Sequence, residues 1–402
     1  MRLNEATARL AADASDAAMD DVILAGQRSD ATDEEISVLA QVLAASGETR
    51  PRSDHEIVAD VASTGGPSSL STLLCPLFLR CLGADVPKIG VPGRPAGAVD
   101  VMATIPGYRV ILTRDEVAEV LAACGLAHVL ATGRQAPLDG RLFARRRLKG
   151  ATAVPALAIA SLLSKKIAVG VRLVGLDVRI GPHGNFGDRW SDARENAQRF
   201  VRVASLLGIK AVCFLTNAST PSQPYIGRGE ALLALAKLLD GAADEWLNDH
   251  AFRCFLMART VLGNRGAALP GKSELHREFC SNLESQGSGF SQFLDRVSTV
   301  MQTKYTAVDA KDDGFFSVDL QRLRQEIVAA NERCGDENAV AGRFADVAGV
   351  VLRKRPGTFV MKGDVLADVR SPDRVDDLTS SALFQAFHVS PAGGETHGYE
   401  EV

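Results

Sequence analysis

Three places in the sequence bring together residue types that can do chemistry. The first is Ser63-Thr64-Gly65-Gly66, a small-residue turn followed by the hydroxyls of Ser68, Ser69, Ser71 and Thr72. Glycines in such a turn let the backbone approach a ligand, and the unpaired N–H groups of a following helix favour an anion. Arg94, after the next apolar run, adds a fixed positive charge that can reach that anion. The second place is a basic run, Arg134, Arg141, Arg145, Arg146, Arg147 and Lys149, and the segment after it, in which Ser161 and Lys165 stand at i, i+4 on one helix face. The third is His183, inside the loop Gly181-Pro182-His183-Gly184-Asn185-Phe186-Gly187. A histidine in a cleft loop can serve as a general acid or base near neutral pH. Each place also has a plainer reading. These are a capped helix after a tight turn, a basic surface loop with lysines at a helix C-terminus, and a solvent-exposed loop histidine.

The elements that must position these residues follow from periodicity. Ile57-Val58-Ala59 is a short apolar run before the turn, and Leu70, Leu73, Leu74, Leu77, Phe78 and Leu82 recur at helical spacing after it. Pro87-Lys88-Ile89-Gly90-Val91 reads as the next strand, so the segment is a βαβ unit with its donors at the strand ends, where open α/β sheets bind ligands. Residues 1–48 look helical, with a capping box at Thr32-Asp33-Glu34-Glu35. Thr113 caps a helix to Cys124, and Val129-Leu130-Ala131 reads as a strand. Ala151 to Lys166 suits a tightly packed helix, Leu173 to Val178 and Lys210 to Leu215 are buried strands, and Ala193 to Leu207 and Glu230 to Leu239 are helices. From about Asp313 the pattern changes to an α+β module: Gly314 to Val318 as a strand, Gln321 to Cys334 as a helix, and short strands over 346–370 with turns at Gly349, Pro356-Gly357 and Lys362-Gly363. Residues 371–402 carry no strong period and read as a loose tail.

Composition narrows the class. The 402 residues, 46% of them apolar and 23% charged, are enough for two or three domains of ordinary soluble type. A net charge of −4 gives no electrostatic case for nucleic acid or an anionic membrane. The seven cysteines show no CxxC pair, which reads as free thiols in a reducing cytoplasm and as neither a disulfide framework nor a zinc cluster. No signal peptide is expected, and no apolar run is long enough to span a membrane; with no Walker loop and no carboxylate cluster to hold magnesium, no cofactor is expected. The isolated His55, His128, His250, His276, His388 and His397 show no ligand spacing.

The order of motifs resembles thymidine phosphorylase and the pyrimidine-nucleoside phosphorylases. The matching stretches are Ala45 to Glu48, Ser63 to Gly66, Ile105 to Tyr108, Phe143 to Arg146, Ala160 to Lys166 and Leu176 to Gly181, together with AGVVLRKRPGTFVMKGDVLADV near the C-terminus. The fold is shared with anthranilate phosphoribosyltransferase. The resemblance implies an α/β fold with a small discontinuous helical domain (1–48 and 138–169), a larger α/β domain with a central mixed or parallel sheet (56–131 and 170–310), a C-terminal α+β domain (311–370) and a tail (371–402). It implies a cytoplasmic homodimer that cleaves the bond between a pyrimidine and its sugar with phosphate. The base would be held by Arg146, Ser161 and Lys165, with a one-residue slip onto Arg145 or Arg147 left open.

The phosphate side departs from the family. Its D-K-H-S-T-G-G is here Asp60-Val61-Ala62-Ser63-Thr64-Gly65-Gly66, without the lysine and the histidine. The second anion loop is shortened, with Pro92 and Ala98 where the family has Ser and Thr. Ser63, Thr64, Thr72 and Arg94 remain as phosphate-binding candidates, with His183 as a candidate catalyst. Each lost polar contact is worth roughly 1–3 kcal/mol of anion binding. Three readings stay open: a nucleoside phosphorylase with a remodelled phosphate site, a phosphate-independent glycosyl transfer or hydrolysis of a nucleoside or nucleotide, and a non-catalytic nucleobase-binding homologue.

Overall fold

A computed structural model describes residues 1–49, 57–131, 134–181, 184–335, 342–372, 383–391 and 399–401. The Ala-rich N-terminal segment is two helices, α1 (Leu3–Ala12) and α2 (Asp16–Gly26), because Ser15 starts a new helix by accepting from the Ala18 amide. The capping box at Thr32 starts α3 (Asp33–Ala45): Thr32 Oγ1 accepts from the Glu35 amide and Glu35 accepts from the Thr32 amide. These helices pack against α7 (Pro137–Leu148) and α8 (Pro155–Ala168), so segments distant in sequence share one helical layer.

Beside it lies the central sheet. Strands β1 (Ala59–Ser63), β4 (Leu173–Ile180) and β5 (Lys210–Asn217) run parallel. Strands β2 (Val86–Gly90) and β3 (Leu126–Leu130) form a second parallel pair, which meets the first through a bridge between Val58 and Asp85. The order across the layer is therefore β3-β2-β1-β4-β5. β1 to β4 are buried almost throughout, and β5 through Cys213 to Leu215, as their apolar runs require. Helices α4 (Ser71–Cys81), α5 (Ala98–Met102), α6 (Arg114–Cys124), α9 (Trp190–Leu206) and α11 (Glu245–Val261) cover them, with α10 (Arg228–Asp240), α12 (Lys272–Ser285) and α13 (Phe290–Gln302) beyond. α6 begins at Thr113, whose hydroxyl accepts from the Glu116 amide, and stops at Gly125 in the left-handed region.

The C-terminal module holds two antiparallel sheets. One has the order β6-β9-β11-β7, from β6 (Tyr225–Ile226), β7 (Tyr305–Asp309), β9 (Gly349–Leu352) and β11 (Val365–Arg370). The other has the order β10-β8-β12, from β8 (Gly314–Val318), β10 (Phe359–Val360) and β12 (Phe387–Ser390). Helix α14 (Leu320–Arg333) packs on them through Leu320, Leu323 and Ile327.

Two expectations fail here. Gly349 begins a strand and makes no turn. It is glycine because the Glu230 carboxylate passes so close that a Cβ would lie 1.8 Å from Glu230 Oε2. The segment after residue 370 is not a loose tail where it is described: β12 pairs with β8, and β13 (Tyr399–Glu401) adds to β5 antiparallel, at the edge of the central sheet. Edge strands this short gain their order from backbone pairing with a neighbour, so they leave little periodicity in the sequence.

The module is fixed to the larger body by buried charge. Arg370 donates to Glu230 at 2.7 and 2.9 Å and to Asp346 Oδ1 at 2.6 Å, and Arg296 also holds Asp346. Both carboxylates raise the Arg370 pKa against the opposing effect of burial. The place of α14 relative to the central sheet follows from this junction and from β6, which the larger body lends to the module's sheet.

Candidate active site

A cleft of about 240 Å³ opens where the helical layer faces the C-terminal ends of β1 and β2. Arg146, Ser161 and Lys165 line one wall, and Ser63, Thr64, Thr72 and Arg94 line the other. His183 lies outside the described residues; its neighbour Asn185 lines the cleft and donates to Thr64 O at 3.0 Å. A larger apolar groove of about 490 Å³ lies away from these residues, beside α4, α10 and α11.

Four of the six basic residues, Arg141, Arg145, Arg146 and Arg147, lie on α7, and of these Arg146 lines the cleft. On α7, Asp139, Phe143 and Arg146 stand at i, i+4 and i+7, one face of the helix. Arg145 turns away to Asp20, with contacts of 2.7 and 2.6 Å, and Arg147 to Glu332 at 4.0 Å. Arg146 is 2% exposed and spreads its guanidinium over three carbonyls: Ala151 O at 3.2 Å, Leu157 O at 3.3 Å and Thr152 O at 2.8 Å. Burial pulls its pKa down to about 10, against the pull of Asp139. Lys165, on α8, donates to Ser161 Oγ at 2.9 Å and to Asp139 Oδ2 at 2.6 Å. Burial lowers the Lys165 pKa, and Asp139 is the main influence opposing that. Asp139 Oδ1 is itself buried with no hydrogen-bond partner, so the carboxylate's hydrogen bonding goes to the lysine.

The floor of the cleft carries charges that motif spacing does not reveal. Asp60, fully buried near the start of β1, takes Lys88 from β2 on one oxygen at 2.9 Å and Lys166 from α8 on the other. Burial pushes Asp60 up, but the two lysines outweigh it and hold its pKa below the ordinary value. Lys88 also donates to Val61 O, and burial lowers its pKa despite Asp60. A charged residue inside an otherwise apolar strand was the available signal, at Asp60, Lys88 and Asp177 alike.

The Ser-Thr-Gly-Gly turn is held by β4. The Thr64 amide donates to Asp177 O at 3.0 Å, and Thr64 Oγ1 accepts from the Arg179 amide at 2.9 Å. Arg179 bonds Asp177 Oδ2, Gly66 O and Ser71 Oγ, each at 2.9 Å. Gly65 and Gly66 take φ of 97° and 110°, a region that only glycine enters freely. Most of the hydroxyls after the turn are committed to the protein. Ser71 donates to Asp177 at 2.7 Å, Ser69 donates to the same carboxylate at 3.4 Å, and Ser68 accepts from the Ser222 amide. The Leu70 amide at the start of α4 is taken by His250. The expected anion donors at this helix start are thus narrowed to Thr72 and the backbone of the turn.

The second loop is shaped by Asp100. Its Oδ1 accepts from the amides of Gly93 at 2.8 Å and Gly97 at 3.0 Å, and its Oδ2 accepts from Arg228 at 2.7 Å. That fixes the turn bearing Arg94, whose guanidinium reaches Glu332 of α14 at 3.1 Å. Arg324, also on α14, lines the cleft as well and was not anticipated; a helix of the C-terminal module gives no sequence sign that it reaches this far.

Comparison with known proteins fits this geometry. Residues 55–171 match the family described as "Glycosyl transferase family, a/b domain". The chain is 27% identical over 390 residues to the pyrimidine-nucleoside phosphorylase of Geobacillus stearothermophilus, covering 92% of this chain and 88% of that one. It is 29% identical over 374 residues to the Bacillus subtilis enzyme of the same name, covering 87% and 83%. To the thymidine phosphorylase of Rattus norvegicus it is 32% identical over 269 residues, covering 63% of this chain and 56% of that one. Among solved structures, anthranilate phosphoribosyltransferase from Thermus thermophilus superposes with a TM-score of 0.54 at 15% identity, covering 75% of this chain and 96% of the other, which is a likeness of fold. Over most of its length the chain is thus similar to pyrimidine-nucleoside phosphorylases, and over a shorter stretch to thymidine phosphorylases, on a fold like that of anthranilate phosphoribosyltransferase.

Proposed function

We propose that the protein is a pentosyltransferase that cleaves the N-glycosidic bond of a pyrimidine nucleoside, with phosphate as acceptor. The observation that carries this reading is the meeting, in one cleft, of Arg146, Ser161 and Lys165 with the Ser-Thr-Gly-Gly turn. Cleavage leaves the electron pair of the C1′–N1 bond on the departing ring while a phosphate oxygen bonds C1′. The ring needs a cation or a proton, and the acceptor must be held beside C1′. Lys165, made more acidic by burial, supplies the proton or the charge, and Ser161 fixes its ammonium. Arg146 offers its planar edge to a base carbonyl. Thr72 and the backbone of residues 63–66 face the acceptor.

The relatives named as phosphorylases of pyrimidine nucleosides support the reaction class. The test is release of uracil or thymine from uridine or thymidine by the purified chain, with and without phosphate. Phosphate-dependent release supports the proposal, and no release with phosphate or arsenate refutes it. A second reading is favoured by one observation: Val61 and Ala62 stand where the family carries lysine and histidine, and both nearby lysines are committed to Asp60. Base release indifferent to phosphate would select hydrolysis or base exchange. The cytoplasmic homodimer implied by kinship belongs to the same proposal, and sedimentation at micromolar concentration reads the oligomeric part.

A further inference from the structure

The other cations of the cleft wall have their charge met from within the protein. Lys88 and Lys166 share Asp60, Lys165 holds Asp139, Arg179 holds Asp177, and Arg146 is spread over backbone carbonyls. Arg324 differs. Its guanidinium lines the cleft, its Nε is buried without a hydrogen-bond partner, and among the described residues it has no carboxylate within ion-pair distance. Burial depresses its pKa, and the charge that acts on it is another cation, Arg94, which depresses it further. Arg94 shares its own charge with Glu332, on the same helix as Arg324 and half exposed. A buried donor with nothing to bond, beside a second guanidinium, is costly unless an anion occupies the space between them. Paired guanidiniums match the oxygens of a phosphoryl group in geometry and in charge.

We propose that Arg324 and Arg94 form the two jaws of a site for a dianionic phosphoryl group. The C-terminal module thereby completes an anion grip that the Ser-Thr-Gly-Gly turn, lacking the family's lysine and histidine, does not make alone. The place of this group in the reaction rests on the pentosyl-transfer reading above. It is either the acceptor phosphate or the 5′-phosphate of a nucleotide substrate, and both present the same dianion. The junction of Arg370, Glu230 and Asp346 is what carries α14 to the cleft, so the module serves the site directly.

Calorimetric titration of the full chain with inorganic phosphate, uridine 5′-monophosphate, uridine and uracil tests this. Arg324→Gln weakens the anion by about tenfold to a hundredfold, the range for one charged hydrogen-bond pair, and leaves uracil within about twofold of the wild type. Arg324→Lys, which keeps the charge without the fork, recovers part of the loss. A loss on inorganic phosphate assigns the site to the acceptor; a loss on uridine 5′-monophosphate with inorganic phosphate unchanged assigns it to the substrate's own phosphate. If neither anion binds the wild type, or both bind Arg324→Gln as tightly as the wild type, the proposal is wrong. If anion binding depends on Arg324 but no pyrimidine binds, the phosphoryl site stands and the pentosyl-transfer reading fails. Matched thermal melts exclude misfolding, since Arg324 is only partly buried.

Discussion

Replacing Asp139 by asparagine removes the negative charge that faces Lys165 and also acts on Arg146. The side chain keeps its shape, and its amide can still accept from Lys165 through the remaining oxygen. What goes is the negative charge 2.6 Å from the ammonium, in a place where Asp139 is 1% and Lys165 7% exposed. Removing one partner of a buried pair typically costs about 3–5 kcal/mol. Lys165 escapes that penalty by giving up its proton. Its titration therefore moves to lower pH. The sign is fixed: burial already depresses this lysine, and Asp139 is the main influence holding it up. The assay is uracil affinity, or kcat/KM for nucleoside cleavage, followed from pH 5 to 9. In Asp139→Asn the alkaline limb shifts to lower pH, so the variant loses base at a lower pH than the wild type and recovers toward it as the pH falls further. Lys165→Met in the same background abolishes the limb and recovers stability, because no buried charge is left unpaired. An alkaline limb that does not move in Asp139→Asn, with the base still bound, would refute the assignment of Lys165 as the group that receives the pyrimidine.

Arg146→Lys leaves the carbonyls of Ala151, Thr152 and Leu157 short of donors and removes the planar fork; a loss of base affinity of about tenfold to a hundredfold is expected, whereas Arg145→Gln, facing Asp16 and Asp20, stays within about twofold by calorimetry. His128, whose pKa burial lowers from 6.5 to about 3, is neutral in the fold and protonated in the unfolded chain below its ordinary value. It therefore contributes stability that is complete above pH 6.5 and lost as pH falls toward 3, at most roughly 4–5 kcal/mol, and urea unfolding of His128→Gln at pH 7 and 4.5 shows a flatter pH dependence than the wild type. Gly349→Ala drives a methyl group into the Glu230 carboxylate and pulls it from Arg370, costing about 3–5 kcal/mol; limited proteolysis detects it as early cleavage in the C-terminal module.

The sequence carried what is local. Helix starts at Thr32 and Thr113 were legible because a side chain and an amide three residues apart make the cap by themselves. The parallel strands were legible because burial on both faces leaves an apolar run, and the i, i+4 pair Ser161 and Lys165 because helix geometry alone sets it. Other features required the tertiary structure. Which of three consecutive arginines enters the cleft depended on the packing of α7 against the aspartates of α2, a contact more than a hundred positions apart in the chain. The committed hydroxyls of Ser69 and Ser71, the lysines on Asp60 and the edge strands β12 and β13 are likewise contacts between distant segments. Arg324 shows the limit most clearly: on its own helix it is one more polar residue, and only the ionic junction that docks the C-terminal module brings it beside Arg94. Short-range spacing determines what forms within one element; which charges face one another across a cleft is decided only when the domains close around it.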